Sequence, residues 1–236
     1  MITFPSSNLV IHTLYQQFRV IDPEYAKFLY LIHVILSTKQ QVDEMQRGIV
    51  LCPEGQLSDE DIWEAYQQHS DSTIMTFSRK GGQWINDIIV RHLFPGPPIS
   101  NIPWASVANL NPIFPHKQTS VIFTENRDKV VNGQQATIGG CEKNTIILSL
   151  PEGRVFVYPV THTDNDVQIT RYPFTPAYAQ TIIKSQGRNI HHPIIWLDSD
   201  VVPPGTGYVG LSRVRTRSSI SLLQPIRAHQ LWPVKL

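Results

Sequence analysis

Ala177-Tyr178-Ala179-Gln180-Thr181-Ile182-Ile183-Lys184-Ser185-Gln186-Gly187 and Gly207-Tyr208-Val209-Gly210-Leu211-Ser212-Arg213-Val214-Arg215 are the two stretches whose reading decides the fold. Each sets polar residues at fixed places in an apolar, helix-like frame. The Lys184-Ser185-Gln186-Gly187 turn brings together a cation, a hydroxyl, an amide and a flexible backbone. A helix ending in Ser212-Arg213-Val214-Arg215 can aim a guanidinium at a phosphate, because the planar fork stays charged and makes paired hydrogen bonds. Taken alone, Arg213 and Arg215 could as well pair with surface carboxylates, and Lys184 could be merely solvated.

Upstream, Asp22-Pro23-Glu24 opens a helix: Asp22 accepts a hydrogen bond as N-cap and Pro23 gives up no needed donor. Tyr25, Phe28, Leu29, Ile32, Ile35 and Leu36 then recur at helical spacing. A second helix is expected over Lys39 to Arg47, a third after Ser58, and a fourth from Ser78 to about Phe94 behind a short strand, Thr73 to Phe77. Six prolines between Phe94 and His116 mark an irregular connection. Beyond it, Thr119–Thr124, Gln134–Ile138, Thr145–Leu150, Val155–Val160 and Val167–Thr170 read as strands, with turns at Gly139-Gly140, Asn132-Gly133 and Pro151-Glu152-Gly153. Five short strands in so little chain suggest a small barrel. After Tyr172-Pro173 strands and helices alternate again, at Ile194–Leu197, Gly207–Val214 and Ile220–Leu223. The expected organisation is α/β: residues 1–94 and 172–236 form one domain, 95–118 a connection and 119–171 an inserted small β-barrel.

Composition bounds the function. Of the 236 residues 41% are hydrophobic and 17% charged, which suits a globular chain with a sizeable core. No apolar run approaches the ~20 residues of a membrane helix, and no signal peptide is expected. The two cysteines, Cys52 and Cys141, lie in no metal-ligand spacing and point to an intracellular, reduced setting. Net charge is +1, yet from Arg171 onward eight Lys/Arg face two Asp/Glu. A basic C-terminal third can meet phosphates or be a solvated face. His191-His192 read as exposed bystanders, Trp84 and Trp196 as core, and Trp63 and Trp104 as core or anchoring residues rather than stacking platforms.

The first quoted stretch resembles motif V, and the second motif VI, of superfamily-one DNA helicases of the RecD/Pif-type branch. Leu14-Tyr15-Gln16-Gln17-Phe18-Arg19, followed by Asp22, Tyr25 and Phe28-Leu29, resembles motif IV and the helix after it. Thr76-Phe77-Ser78 through Ile85-Asn86 is similar to the next strand-and-helix element, and Phe123-Thr124-Glu125-Asn126 with Val131-Asn132-Gly133 to the start of the inserted barrel. The order is correct over most of the chain. The resemblance implies a RecA-like parallel-sheet domain, the second motor domain of a P-loop NTPase-type enzyme. Such motors hydrolyse ATP, with Mg²⁺, in a cleft between two RecA-like domains. It implies that Arg213 and Arg19 are arginine fingers, that Gln186 and Gly187 lie at the nucleotide, and that Thr181, Lys184 and Ser185 lie near single-stranded DNA. It also implies five-prime to three-prime travel.

The chain departs from the family pattern. No Gly-x-x-x-x-Gly-Lys-Ser/Thr occurs in the sequence, so an N-terminal RecA-like domain, in cis or trans, is expected to hold most of the ATP. Asp43-Glu44 could imitate an acidic ATPase pair but reads as a solvated helix face. Ile183 stands where the family commonly has His, and Gly210 where it commonly has Ala. Alternatively, the chain is a non-catalytic nucleic-acid- or protein-binding remnant. A self-contained hydrolase has no support, since no nucleophile–base arrangement is visible.

Overall fold

The computed structural model describes residues 20–34, 38–53, 55–104, 112–127, 129–164, 167–185 and 190–233. Arg19 and the rest of the motif IV stretch, Ile35, Leu36, Gln186 and Gly187 lie outside the described residues.

The helical starts fall where the capping chemistry puts them. Helix α1 (Pro23–Val34) is capped by Asp22, whose Oδ1 accepts the Tyr25 N–H at 3.0 Å. Helices α2 (Lys39–Gln46) and α3 (Asp59–Gln68) open on reciprocal capping boxes, Thr38 with Gln41 and Ser58 with Asp61. Asp43 and Glu44 are exposed on α2. After strand β1 (Ile74–Thr76), Ser78 caps α4 (Arg79–Leu93) by accepting the Gly81 N–H at 2.9 Å.

Four strands form a wholly parallel sheet. Besides β1 they are β9 (Ala179–Thr181), β10 (Ile194–Trp196) and β11 (Ser221–Leu222), in the order β11-β10-β1-β9. Alternate residues face opposite sides. Ile74, Ala179 and Ile194 pack with α3 and α4; Met75, Ile195 and Leu222 pack with α1, α2 and α5 (Thr206–Leu211). The result is a three-layer α/β/α domain.

Two segments differ from expectation here. Residues 177–185 are not a helical frame: β9 runs straight into a 3₁₀ turn at Ile182–Ser185. Helix α5 stops at Leu211, so Ser212 is its C-cap and Arg213 lies just beyond it. Its N-terminal end also meets a close contact, since a Cβ on Gly207 would press on Leu231 and the Gln230 carbonyl.

The β-rich insertion is an open antiparallel sheet. It comprises β2 (Ser120–Phe123), β3 (Gln135–Glu142), β4 (Thr145–Leu150), β5 (Gly153–Val157) and β8 (Phe174–Pro176), ordered β5-β4-β3-β2-β8. A separate hairpin, β6 (Val160–Asp164) with β7 (Val167–Arg171), pairs only with itself among the described residues, so strand pairing closes no ring. Gly139-Gly140 is not the turn. Strand β3 passes through it with a bulge, and the chain reverses at Lys143-Asn144, where φ values of 46° and 66° make the primed turn that suits twisted hairpins. Asn132-Gly133 does turn, with Gly133 at φ 89°. The described residues of the Pro-rich connection form no helix or strand, yet part of them is packed. Trp104 is fully buried edge-on to Phe174, and Pro103 accepts the Tyr172 N–H at 2.9 Å. A continuous apolar cluster therefore joins α4 to the insertion through Trp104, Val121 and Phe174.

Edge strand β9 has a backbone problem that one side chain solves. Buried Asn86, on α4, donates Nδ2–H to the Ala179 carbonyl at 3.0 Å and accepts the Ala179 N–H at 2.8 Å. At the sheet's opposite, N-terminal end, His192 is not a bystander: it stacks on His69 at 4.2 Å, and its Nε2 sits 3.1 Å from Ser221 Oγ. Burial, with His69 and His191 adding to it, holds the His192 imidazole below its ordinary value.

Two stability measurements check this account. Asn86→Leu should lower unfolding free energy by about 2–6 kcal/mol in urea titration, because two buried backbone groups each lose a partner at ~1–3 kcal/mol. The depressed His192 makes the unfolded chain bind its proton more readily. That stabilisation is present above the ordinary histidine value of ~6.5 and is lost as pH falls through it. The urea midpoint should drop between pH 7.5 and 5.5, and His192→Gln should flatten the drop.

Candidate nucleic-acid interface

In an open parallel sheet, ligands gather beyond the C-terminal ends of the strands. Here those ends are Thr76, Thr181 and Trp196. One carboxylate organises the region. Asp198, two residues past β10, accepts the Phe77 and Ser78 N–H groups at 2.8 Å each, and the Ser78 hydroxyl donates to its other oxygen. A Cβ on Gly81 would overlap that carboxylate, so glycine is what lets α4 start so close to β10. Thr76 donates to the Ser78 carbonyl at 2.8 Å and completes the turn.

This turn presents Arg79 at the first position of α4. No acidic residue occupies that helix's first turn, and Lys80 follows, so two cations stand at the positive end of the helix dipole. The Asp198 carboxylate, packed against Gly81, is the anion at that end, and Arg79 and Lys80 add positive charge around it. Arg79 lines a cleft of about 510 Å³ between α4 and β9 on one side and β2 and β8 on the other. Arg171, at the end of β7, and Lys184, in the 3₁₀ turn, line it too. Three cations thus face one carboxylate, Glu125, which is already paired with Arg127 at 2.5 Å. Gln83, Gln180, Thr181, Thr124 and Asn132 add neutral hydrogen-bonding groups. Burial pushes the Lys184 ammonium below the usual lysine range, and the nearby Arg79 charge pushes the same way.

The sequence-derived residues are distributed as follows. Thr181 and Lys184 share the cleft. Ser185 is fully buried and donates to the Ile182 carbonyl at 2.6 Å, so it closes the turn that displays Lys184 rather than facing the cleft. Ile183, in the position of a family His, is exposed. Arg213 folds back on its own helix: Nε donates to the Val209 carbonyl at 2.8 Å and Nη2 to Ser212 Oγ at 3.0 Å. Gly210 seats α5 against Ile182 and Ile195, where a Cβ would make 3.3 Å contacts. Arg217 clasps the end of α2 through the Met45 and Arg47 carbonyls. Arg79, Arg171 and Asp198 went unnoticed in the sequence. Only the Lys-Arg excess after Arg171 hinted at one of them, and nothing local distinguishes Asp198.

No protein-family model matches the chain. A 113-residue segment is 30% identical to the ATP-dependent DNA helicase Pif1 of Bdellovibrio bacteriovorus, covering 44% of this chain and 25% of that protein. The fold matches Bacteroides Pif1 bound to single-stranded DNA with a TM-score of 0.67 and 20% identity, over 93% of this chain and 53% of that one. A structure of two coordinating Pif1 helicases at forked double-stranded DNA gives 0.69 at 20% identity, over 93% and 51%. Candida albicans Pif1 gives 0.58 at 17%, over 91% and 56%. The chain spans about half the length of these solved proteins. The resemblance to the Pif-type branch therefore holds in sequence for part of the chain and in fold for nearly all of it.

The lowered Lys184 ammonium gives the cleft a pH signature. Affinity for an oligodeoxyadenylate, whose bases do not ionise in this range, should fall with rising alkalinity, and its midpoint should lie below the usual lysine value of ~10.4. In Lys184→Gln that alkaline loss should disappear while neutral-pH affinity is already reduced, as fluorescence anisotropy would show.

Proposed function

We propose that this homologue of the Pif1 helicases acts as the second motor half of an ATP-dependent DNA helicase, holding single-stranded DNA in the cationic cleft beside β9. The observation that carries the reading is the convergence of Arg79, Arg171 and Lys184 on one cleft at the C-terminal end of a RecA-like parallel sheet. A strand backbone is a line of phosphates, and neutralising several of them supplies most of the affinity. Thr181 and the glutamines would orient it, and Ser185 would hold the turn beneath.

ATP with Mg²⁺ would be bound mainly by a RecA-like domain carrying the phosphate-binding loop and acidic metal ligand, joined in cis or in trans. Arg213, with Arg19, would reach across to stabilise charge on the transferring phosphoryl group, and Gln186 and Gly187 would border the nucleotide. For this, Arg213 must leave the Val209 carbonyl when the two domains close. The insertion, an open sheet by its strand pairing, would be the counterpart of the family's small barrel, with travel from five-prime to three-prime.

Joining the chain to a Pif1-type N-terminal RecA-like domain should give ATP turnover that single-stranded DNA stimulates. Arg213→Ala should reduce that turnover by about 10³-fold or more, the range of an arginine finger. Unchanged turnover in the variant would remove Arg213 from catalysis. DNA affinity indifferent to ATP and to Arg213 would favour the non-catalytic module instead.

A further inference from the structure

The insertion carries an aromatic and basic strip that the cleft does not use. Along β5 the inward residues are Val155 and Val157, the latter buried with the insertion's core. The outward ones are Arg154, Phe156 and, just past the strand, Tyr158, all exposed. Phe156 is 57% exposed and Tyr158 64%. Residues two apart on a strand lie about 7 Å apart on one face, so cation and rings form a single row. Phe156 pairs across to half-buried Ile147 and Arg154 to Ser149, which gives the rings a shallow floor without a competing charge.

A groove of about 540 Å³ separates β5 from the segment after β2, and exposed Arg127 and Lys129 line its far side. Among the described residues its one acid, Glu125, is paired with Arg127, and neither Lys129 nor Arg154 makes an ion pair. Adjacent rings exposed on one face form an apolar patch, the kind of surface that marks an interaction site. A groove with surplus positive charge selects an anionic cover, and rings flanked by cations suit flat bases joined by phosphates.

We propose that the outward face of β5 is a second contact for single-stranded nucleic acid, with bases stacking on Phe156 and Tyr158 and phosphates meeting Arg154 and Lys129. This deepens the cleft reading and rests on it, since the strand held beside β9 is the one that would continue onto the insertion.

The test is anisotropy with oligothymidylates of roughly 6 and roughly 20 nucleotides, below and above the ~4–16 nucleotides that one single-strand-binding module covers. Phe156→Ala/Tyr158→Ala should weaken binding of the long oligomer about tenfold or more and leave the short one unchanged. Phe156→Leu/Tyr158→Leu, which keeps apolar bulk without a ring, should lose as much. Both pairs are exposed, so the thermal midpoint should not move. Arg171→Ala/Lys184→Ala should weaken both oligomers. Iododeoxyuridine in the long oligomer should cross-link to the peptide containing Tyr158.

Unchanged long-oligomer affinity in the alanine pair, with the cleft variant impaired, overturns the second contact and leaves the motor reading standing. Retained affinity in the leucine pair overturns stacking. Concentration-dependent self-association abolished by the alanine pair assigns β5 to a second copy instead. An unaltered chain that binds neither oligomer sinks both readings.

Discussion

A parallel edge strand must satisfy an unpaired row of backbone groups, and in this protein a single carboxamide answers that need at the position that matters. Asn86 meets both polar groups of Ala179, as a neighbouring strand would. The consequence reaches beyond stability. Asn86 belongs to the helix that begins with Arg79, and Ala179 to the strand that ends in Thr181 and feeds the Lys184 turn. The two walls of the cationic cleft are thereby fixed to each other by directional hydrogen bonds, not by apolar contact alone, which leaves less freedom to slide. Asp198 performs the same service two strands away, tying β10 to the turn that displays Arg79.

Much of the fold was legible because its punctuation is local. Asp22, Ser58 and Ser78 cap helices by reaching backbone N–H groups within three residues, and such signals survive without tertiary knowledge. The errors have a common source in long-range packing. Gly139-Gly140 looks like a turn, but cross-strand pairing with β4 holds it extended while Lys143-Asn144 reverses the chain. Ala177–Ser185 carries helix-like periodicity over a stretch that three-residue β9 and a 3₁₀ turn divide between them. Pairing with β1 decides that, and β1 lies a hundred residues away.

The site was legible only where residues are contiguous. Thr181 and Lys184 fall together because strand and turn adjoin. Arg79 and Arg171 join them through topology: β1 sits beside β9, and β7 delivers Arg171 to the return into β8. Ser185 shows the opposite limit, since a hydroxyl within a polar motif can serve the backbone that displays the motif. For Arg213, the spacing fixes where the side chain starts and the local carbonyls decide where its guanidinium rests.

The insertion and the parallel-sheet domain share one apolar cluster, and this constrains how the molecule can work. Trp104, from the Pro-rich connection, is buried between α4's partners and Phe174, and Tyr172 adds hydrogen bonds to Ser100 and the Asn144 carbonyl. Well-packed interiors resist gradual deformation. Rotating the insertion against α4 would disturb the apolar cluster around Trp104 that both share, so the cheaper motion keeps both cleft walls and β5 moving as a unit. Such coupling needs a continuous core, which the connection supplies through buried Trp104 and Ile113.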